Sequence, residues 1–226
     1  MGYLPISIRE AMDKILTKDW VLPVTQRPYV WGDRYQFEKG IIRLFDSLYR
    51  NYPIGTFLLW ETEEIIPYRE FIQNFDPESS FPRPQDQSAW SRWKCLVYDG
   101  QQRLQSLYSC LRYRFCDRVL CFDLLFEPTS GHMDRSGFRF VDGDTKIEPH
   151  HLSMITLFED YRRERCGGLE EFRRRITKSL EDLGEEKMTV VNDNINKLWK
   201  LFNDKTNKVC GYFTIPGDLS RTDVQE

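Results

Sequence analysis

Five consecutive residues, Asp99-Gly100-Gln101-Gln102-Arg103, combine the side chains and the backbone freedom that a phosphate site needs. A glycine lets the main chain come close to a ligand, and an arginine can grip two phosphate oxygens through parallel hydrogen bonds. The flanking sequence supplies the scaffold. Cys95-Leu96-Val97-Tyr98 reads as a short buried strand. Leu104, Leu107, Tyr108 and Leu111 fall at i, i+3, i+4 and i+7, the spacing of an amphipathic helix. The motif therefore sits where a strand turns into a helix over about 103–113. The N–H groups of a helix's first turn have no internal partners and carry the positive end of the dipole.

A purely structural reading of the same residues stands beside this one. Asp99 suits an N-cap, Gln102 three residues later could close a capping box, and Gly100 could simply ease the turn. Arg103 fits that reading less well. A cation in the first helical turn opposes the dipole at a cost of about 0.3–1 kcal/mol, which an anionic ligand or a nearby carboxylate would remove.

Composition narrows the classes. At 226 residues the chain is long enough for one large domain or two small ones. It is 40% hydrophobic, enough for a substantial core. No run of about 18 apolar residues occurs, so no membrane span is expected. The first residues, Met1-Gly2-Tyr3-Leu4-Pro5, lack the basic and apolar blocks of a signal peptide and the Ser/Thr of a myristoylation signal. Six cysteines, at 95, 110, 116, 121, 166 and 210, form no CxxC pair. Free thiols and a cytoplasmic location are the expectation. A zinc site is not expected, because the one histidine pair, His150-His151, is adjacent in sequence and neighbours rarely share a metal. With a net charge of −3 the chain is no globally basic nucleic-acid binder. DNA contact would need a local patch. Arg112, Arg114 and Arg118 offer one; Arg162, Arg163, Arg165 and Arg173-Arg174-Arg175 offer another, although interleaved glutamates make the latter read as a solvated helix face.

Along the chain, Ser7-Ile8-Arg9-Glu10 looks like a capping box opening a first helix. A short strand is expected over 19–24, a second helix over 34–49 and a strand over 56–60, the last entered by the turn Tyr52-Pro53-Ile54-Gly55. Residues 61–92, rich in Glu, Pro and Ser, read as a long surface insertion. Two strands, 118–127 and 137–142, suggest a hairpin. From about residue 150 the sequence becomes helix-rich, with a helix beginning at His151–Phe158, charged helices over 159–165 and 169–183, and an amphipathic helix over 187–203. A last strand is expected at 209–216. Residues 220–226 read as a fresh helix start, so the chain is expected to be the N-terminal part of a longer protein.

Three segments together carry a resemblance: Leu22-Pro23-Val24-Thr25-Gln26-Arg27-Pro28-Tyr29-Val30-Trp31, Tyr52-Pro53-Ile54-Gly55-Thr56-Phe57-Leu58-Leu59-Trp60-Glu61, and Tyr98-Asp99-Gly100-Gln101-Gln102-Arg103-Leu104. In order and spacing they resemble the ParB/sulfiredoxin-like domain of the GmrSD family, whose signature is DGQQR. That family includes modification-dependent restriction enzymes and a nuclease of phosphorothioate-based phage defence. The resemblance implies an α+β fold, a small mixed sheet with surrounding helices and then a helix-rich part. It places a nucleotide-binding domain at 1–150 and an extension at 151–226.

The resemblance also implies roles. The amides of Gly100, Gln101 and Gln102 would approach the phosphates of a nucleoside triphosphate, and Arg103 would pair with their oxygens. Asp99 could hold Mg²⁺, and Gln101 or Gln102 could orient the attacking water. Gln26, Arg27, Tyr29 and Trp31 would sense modified DNA, with phosphorothioate and modified cytosine both open as targets. Thr25 stands where relatives commonly carry an aromatic. The family's full-length members usually continue into an HNH-type nuclease domain, a motif this chain does not contain. Two other readings compete: a non-catalytic DNA-binding or scaffolding module with a ParB-like fold, and a sulfiredoxin-like redox enzyme. Against the latter, no cysteine adjoins the DGQQR turn on its helix side.

Overall fold

The computed structural model describes residues 2–24, 34–64, 66–73, 94–128, 135–160 and 168–215. Among these, nine strands and six α-helices make a mixed α+β architecture of the expected class. The strands are β1 (Tyr3–Ile6), β2 (Trp20–Pro23), β3 (Thr56–Thr62), β4 (Tyr68–Arg69), β5 (Lys94–Asp99), β6 (Arg118–Asp123), β7 (Phe138–Asp142), β8 (His151–Ser153) and β9 (Cys210–Ile215). The helices are α1 (Ile8–Leu16), α2 (Arg34–Tyr49), α3 (Gln101–Arg112), α4 (Met154–Asp160), α5 (Leu169–Thr177) and α6 (Glu185–Asn203).

Six strands form one mixed sheet in the order β1-β9-β3-β5-β2-β4. β9 runs parallel to β3 and β2 runs parallel to β5, whereas β3 and β5 are antiparallel. The inner strands are buried on both faces, and Leu59, Trp60, Leu96 and Val97 are fully enclosed. The other three strands form an antiparallel sheet, β7-β6-β8. One face of it meets α2 and α6 in an aromatic cluster. Phe45 lies 5.5 Å from both Phe138 and Phe202, and Tyr49 lies 4.9 Å from Phe122.

Helix α1 forms where its cap predicts. The Ser7 hydroxyl accepts the Glu10 N–H at 3.2 Å, and the Glu10 carboxylate accepts the Ser7 N–H at 2.9 Å. Polar side chains fasten the helices together. The buried Arg9 guanidinium donates to the Phe158 carbonyl and to Asn203 Oδ1 at 2.7 and 2.5 Å, and it lies 3.5 Å over the Phe158 ring. Asn194 accepts the Tyr49 hydroxyl and donates to the carbonyls of Leu124 and Phe126.

Several expectations need correction. Helix α3 begins at Gln101 with Gly100, not Asp99, at the N-cap, and no side chain caps it. His151–Ser153 is a strand rather than a helix start, because it pairs with β6 before α4 begins. The segment 66–73 is not surface loop. Ile66, Tyr68 and Phe71 are buried, and Gln105 of α3 clamps both backbone groups of Ile72 at 2.8–2.9 Å. Helix α5 stops at Thr177 and gives way to a 3₁₀ turn at Lys178–Leu180. The hairpin of β6 and β7 and the long helix α6 form as expected.

Strand β9 comes from the segment expected as an extension, yet it lies between β1 and β3. One continuous core draws residues from Ile6 to Cys210. None of the helices among the described residues is long and apolar enough to cross a membrane.

Candidate functional site

The parallel pairing of β2 with β5 brings the ends of both strands, Pro23 and Asp99, to the same end of the large sheet. The antiparallel register of β3 places Leu58 opposite Asp99 and therefore brings the entry to β3 to that end as well. A register shift between Leu58 and Leu59 bends β3 beside Asp99, as a bulge does. Ligands of parallel strands collect at such carboxyl ends, where loops rather than helices cover the sheet.

Gly100 makes the turn from β5 into α3 with φ +86°, a left-handed conformation that side chains rarely adopt. A Cβ there would also collide with the Phe57 ring. The first turn of α3 thus starts from a glycine, and its N–H groups have neither intrahelical partners nor a side-chain cap. This is a cradle that a side chain at residue 100 would fill.

Arg103 lies over this turn and is the best-anchored member of the motif. Its Nη1 donates to the Ile54 carbonyl at 2.5 Å, and its Nη2 sits 3.1 Å from Asp99 Oδ2. The guanidinium lies 5.4 Å from the Phe57 ring centroid, on the side of Gly55. Gly55 has φ +82°, and a Cβ there would stand 2.6 Å from Nη1. The Tyr52-Pro53-Ile54-Gly55 turn is therefore the wall that holds the arginine. Ile54 and Phe57 were not expected as site residues. Their sequence signals are the 52–61 segment that carries part of the resemblance and the glycine two residues before Phe57.

The remaining motif residues divide. Asp99 is exposed and, instead of capping α3, reaches along the turn to Arg103. That nearby carboxylate removes much of the dipole cost of a cation in the first turn. The Gln101 side chain folds back to donate to the Val97 carbonyl at 2.6 Å. Gln102 gives its backbone carbonyl to the Ser106 hydroxyl and keeps a half-buried side chain at the helix start. Gln26, Arg27, Tyr29 and Trp31 lie outside the described residues.

Two cysteines lie on strands of the same sheet. Cys95 is near the start of β5, at the end away from Asp99, and Cys210 starts β9. Burial pushes both thiols up to about 12, and the nearby Arg103 charge offsets only part of that effect at Cys210. Neither is a thiolate at neutral pH, so neither is an activated nucleophile.

Among the described residues, Arg118, Arg173 and Arg174 of the basic patches weighed for DNA contact each lie beside a carboxylate. Arg118 pairs with Glu38 at 2.6 Å and donates to the Phe140 carbonyl at 2.9 Å. Arg173 pairs with Glu170, and Arg174 lies 3.6 Å from Glu171, as on a solvated helix face. Arg162, Arg163 and Arg165 lie outside the described residues.

No curated protein matches the chain. A family model described as the GmrSD restriction endonuclease, N-terminal domain, matches residues 8–223. That span takes in all six helices, every strand but β1 and the whole DGQQR turn, so the chain belongs to the family of GmrSD restriction endonuclease N-terminal domains.

Proposed function

We propose that the DGQQR turn binds a nucleoside triphosphate with Mg²⁺, and that the chain is the nucleotide-dependent sensor domain of a modification-dependent DNA restriction protein in phage defence. The observation that carries this reading is the uncapped start of α3 at a left-handed Gly100, with the Arg103 guanidinium fixed beside it. The amides of the first turn would receive phosphate oxygens, as helix N-termini do. Arg103 would add a cation held close to its working position, with phosphate oxygens competing with Asp99 for its Nη2. Mg²⁺, when bound, neutralises phosphate charge, and the exposed Asp99 carboxylate is the acidic side chain of the turn that could hold it. Of the two glutamines, Gln102 would orient water, since the Gln101 amide is bonded to Val97.

β2 ends at Pro23 at the sheet end that holds Asp99, and Gln26, Arg27, Tyr29 and Trp31 follow it in sequence. This supports coupling between a modified-DNA reader and the nucleotide. Cleavage would fall to an HNH-type nuclease domain in the same or a separate chain.

One observation favours the second reading, a ParB-like DNA-binding or scaffolding module without turnover. Asp99 and the Ile54 carbonyl already satisfy Arg103 internally. Calorimetric titration with ATP, GTP, CTP and UTP in Mg²⁺ separates the two. Binding of at least one nucleotide, lost in Arg103→Ala while the far-ultraviolet circular dichroism is retained, is the expected result. Equal binding in that variant would overturn the assignment. The absence of any binding by the full chain would favour the second reading.

A further inference from the structure

The small sheet brings together a set of side chains unrelated to the DGQQR turn. Asp123 ends β6 and pairs in register with His151, the first residue of β8. His150 precedes β8 in a turn, so the alternation that separates neighbours on a strand does not apply to it. The two imidazoles converge, with ring centroids 4.2 Å apart. One ligand atom from each of Asp123, His150 and His151 lies within 4.8 Å of the others. Glu148 lies beside the two histidines, outside that group of three. Its Oε2 is 3.3 Å from His150 Nε2 and 3.5 Å from His151 Nδ1.

The 3.3 and 3.5 Å Glu148–histidine separations are close to those of a coordination shell, and the ligand atoms of Asp123, His150 and His151 lie within a looser 4.8 Å. Nitrogen and oxygen ligands bound to zinc at about 2.0–2.1 Å in a tetrahedron stand about 3.3 Å apart. The donor set of two imidazoles and two carboxylates suits zinc and neighbouring divalent transition metals. Outer contacts orient it. The Leu125 N–H donates to Asp123 Oδ1 at 2.9 Å and fixes that carboxylate. Arg139 Nη2 stands 3.2 Å from His151 Nδ1. A guanidinium only donates, so Nδ1 is the unprotonated nitrogen and its lone pair accepts from Arg139; an incoming metal would have to take that lone pair from Arg139.

We propose that Asp123, Glu148, His150 and His151 form a binding site for one divalent transition-metal ion of the zinc type, with Arg139 as the internal cation that competes for it. The ion would tie the 148–151 turn to the end of β6. Helix α4 follows β8 directly and packs on α3, so the tie would stiffen the support behind the DGQQR helix.

The test uses the full chain, stripped with a chelator and titrated with zinc sulfate by calorimetry. Cobalt(II) serves as the spectroscopic probe, because visible d–d bands without a thiolate charge-transfer band report nitrogen and oxygen ligands. The expected result is one ion per chain, a raised thermal midpoint with metal, and affinity more than about tenfold weaker in His150→Ala. His150 is partly exposed, so its removal leaves no core cavity. Arg139→Gln is expected to bind more tightly. No binding by the folded wild-type chain would overturn the proposal, as would binding in both His150→Ala and Asp123→Asn equal to wild type.

Discussion

Arg103 is held by a backbone carbonyl, a carboxylate and an aromatic ring, and its Nη1 sits where a side chain at Gly55 would stand. Gly55→Ala would impose strain at φ +82° and place a methyl group 2.6 Å from Nη1. The expected outcome is a loss of about 1–2 kcal/mol in urea unfolding, from backbone strain and the displaced arginine. Nucleotide affinity should fall along with it, and titration of the same variant checks that. A variant with wild-type stability and affinity would show that the wall does not position Arg103. At this scale the sequence was partly legible. Side-chain type marks Asp99, Gly100 and Arg103, but the Ile54 carbonyl leaves no such mark because every residue has one. The N-cap expectation failed at Asp99 for a related reason. The left-handed Gly100 lies between that carboxylate and the helix, and an arginine four residues on offers it a charged partner.

Elements with their own local signals were readable. The Ser7–Glu10 capping box, the spacing of apolar residues in α6 and the glycine break before α5 all come from short-range chemistry. Elements defined by a distant partner were not. The three-residue β8 pairs with β6, and residues 66–73 are held by the pairing of β4 with β2 and by Gln105. Ile66, Tyr68 and Phe71 gave an apolar signal inside the polar insertion, but too short a run for its period to be assigned. How α1, α4 and α6 meet was also hidden. Their junction is the buried Arg9, bonded to Phe158 and Asn203, with Asn203 Nδ2 donating in turn to the Leu157 carbonyl at 2.9 Å. Asn203→Ala removes an acceptor from an enclosed guanidinium and leaves the Leu157 carbonyl without that donor. The expected cost is about 2–3 kcal/mol, because hydrogen bonds to buried charge are the expensive ones to lose. Chemical denaturation measures it, and a loss below about 0.5 kcal/mol would mean the junction is held by packing alone.

The whole molecule closes through strands from opposite ends of the chain. β1 has β9 as its neighbour in the sheet, and β9 in turn covers β3, the strand that carries the Arg103 wall. Helix α6 packs on α1 and α2 with Val191, Ile195, Leu198 and Phe202 fully buried. Enclosing each such side chain is worth about 1.5–3 kcal/mol, so these four together contribute about 6–12 kcal/mol. That is comparable to the entire stability of an ordinary domain, about 5–15 kcal/mol. A chain cut after residue 150 would lose this burial and would leave β1 unpaired and one edge of β3 open. We therefore expect the fragment 1–150 to show no cooperative unfolding transition in urea. Coexpression with 151–226 should restore both the transition and any nucleotide binding, since the site's sheet is incomplete without β9. A cooperative transition in 1–150 alone would instead mean that the first segment is an autonomous domain, with the later strand and helices added onto a core that already stands.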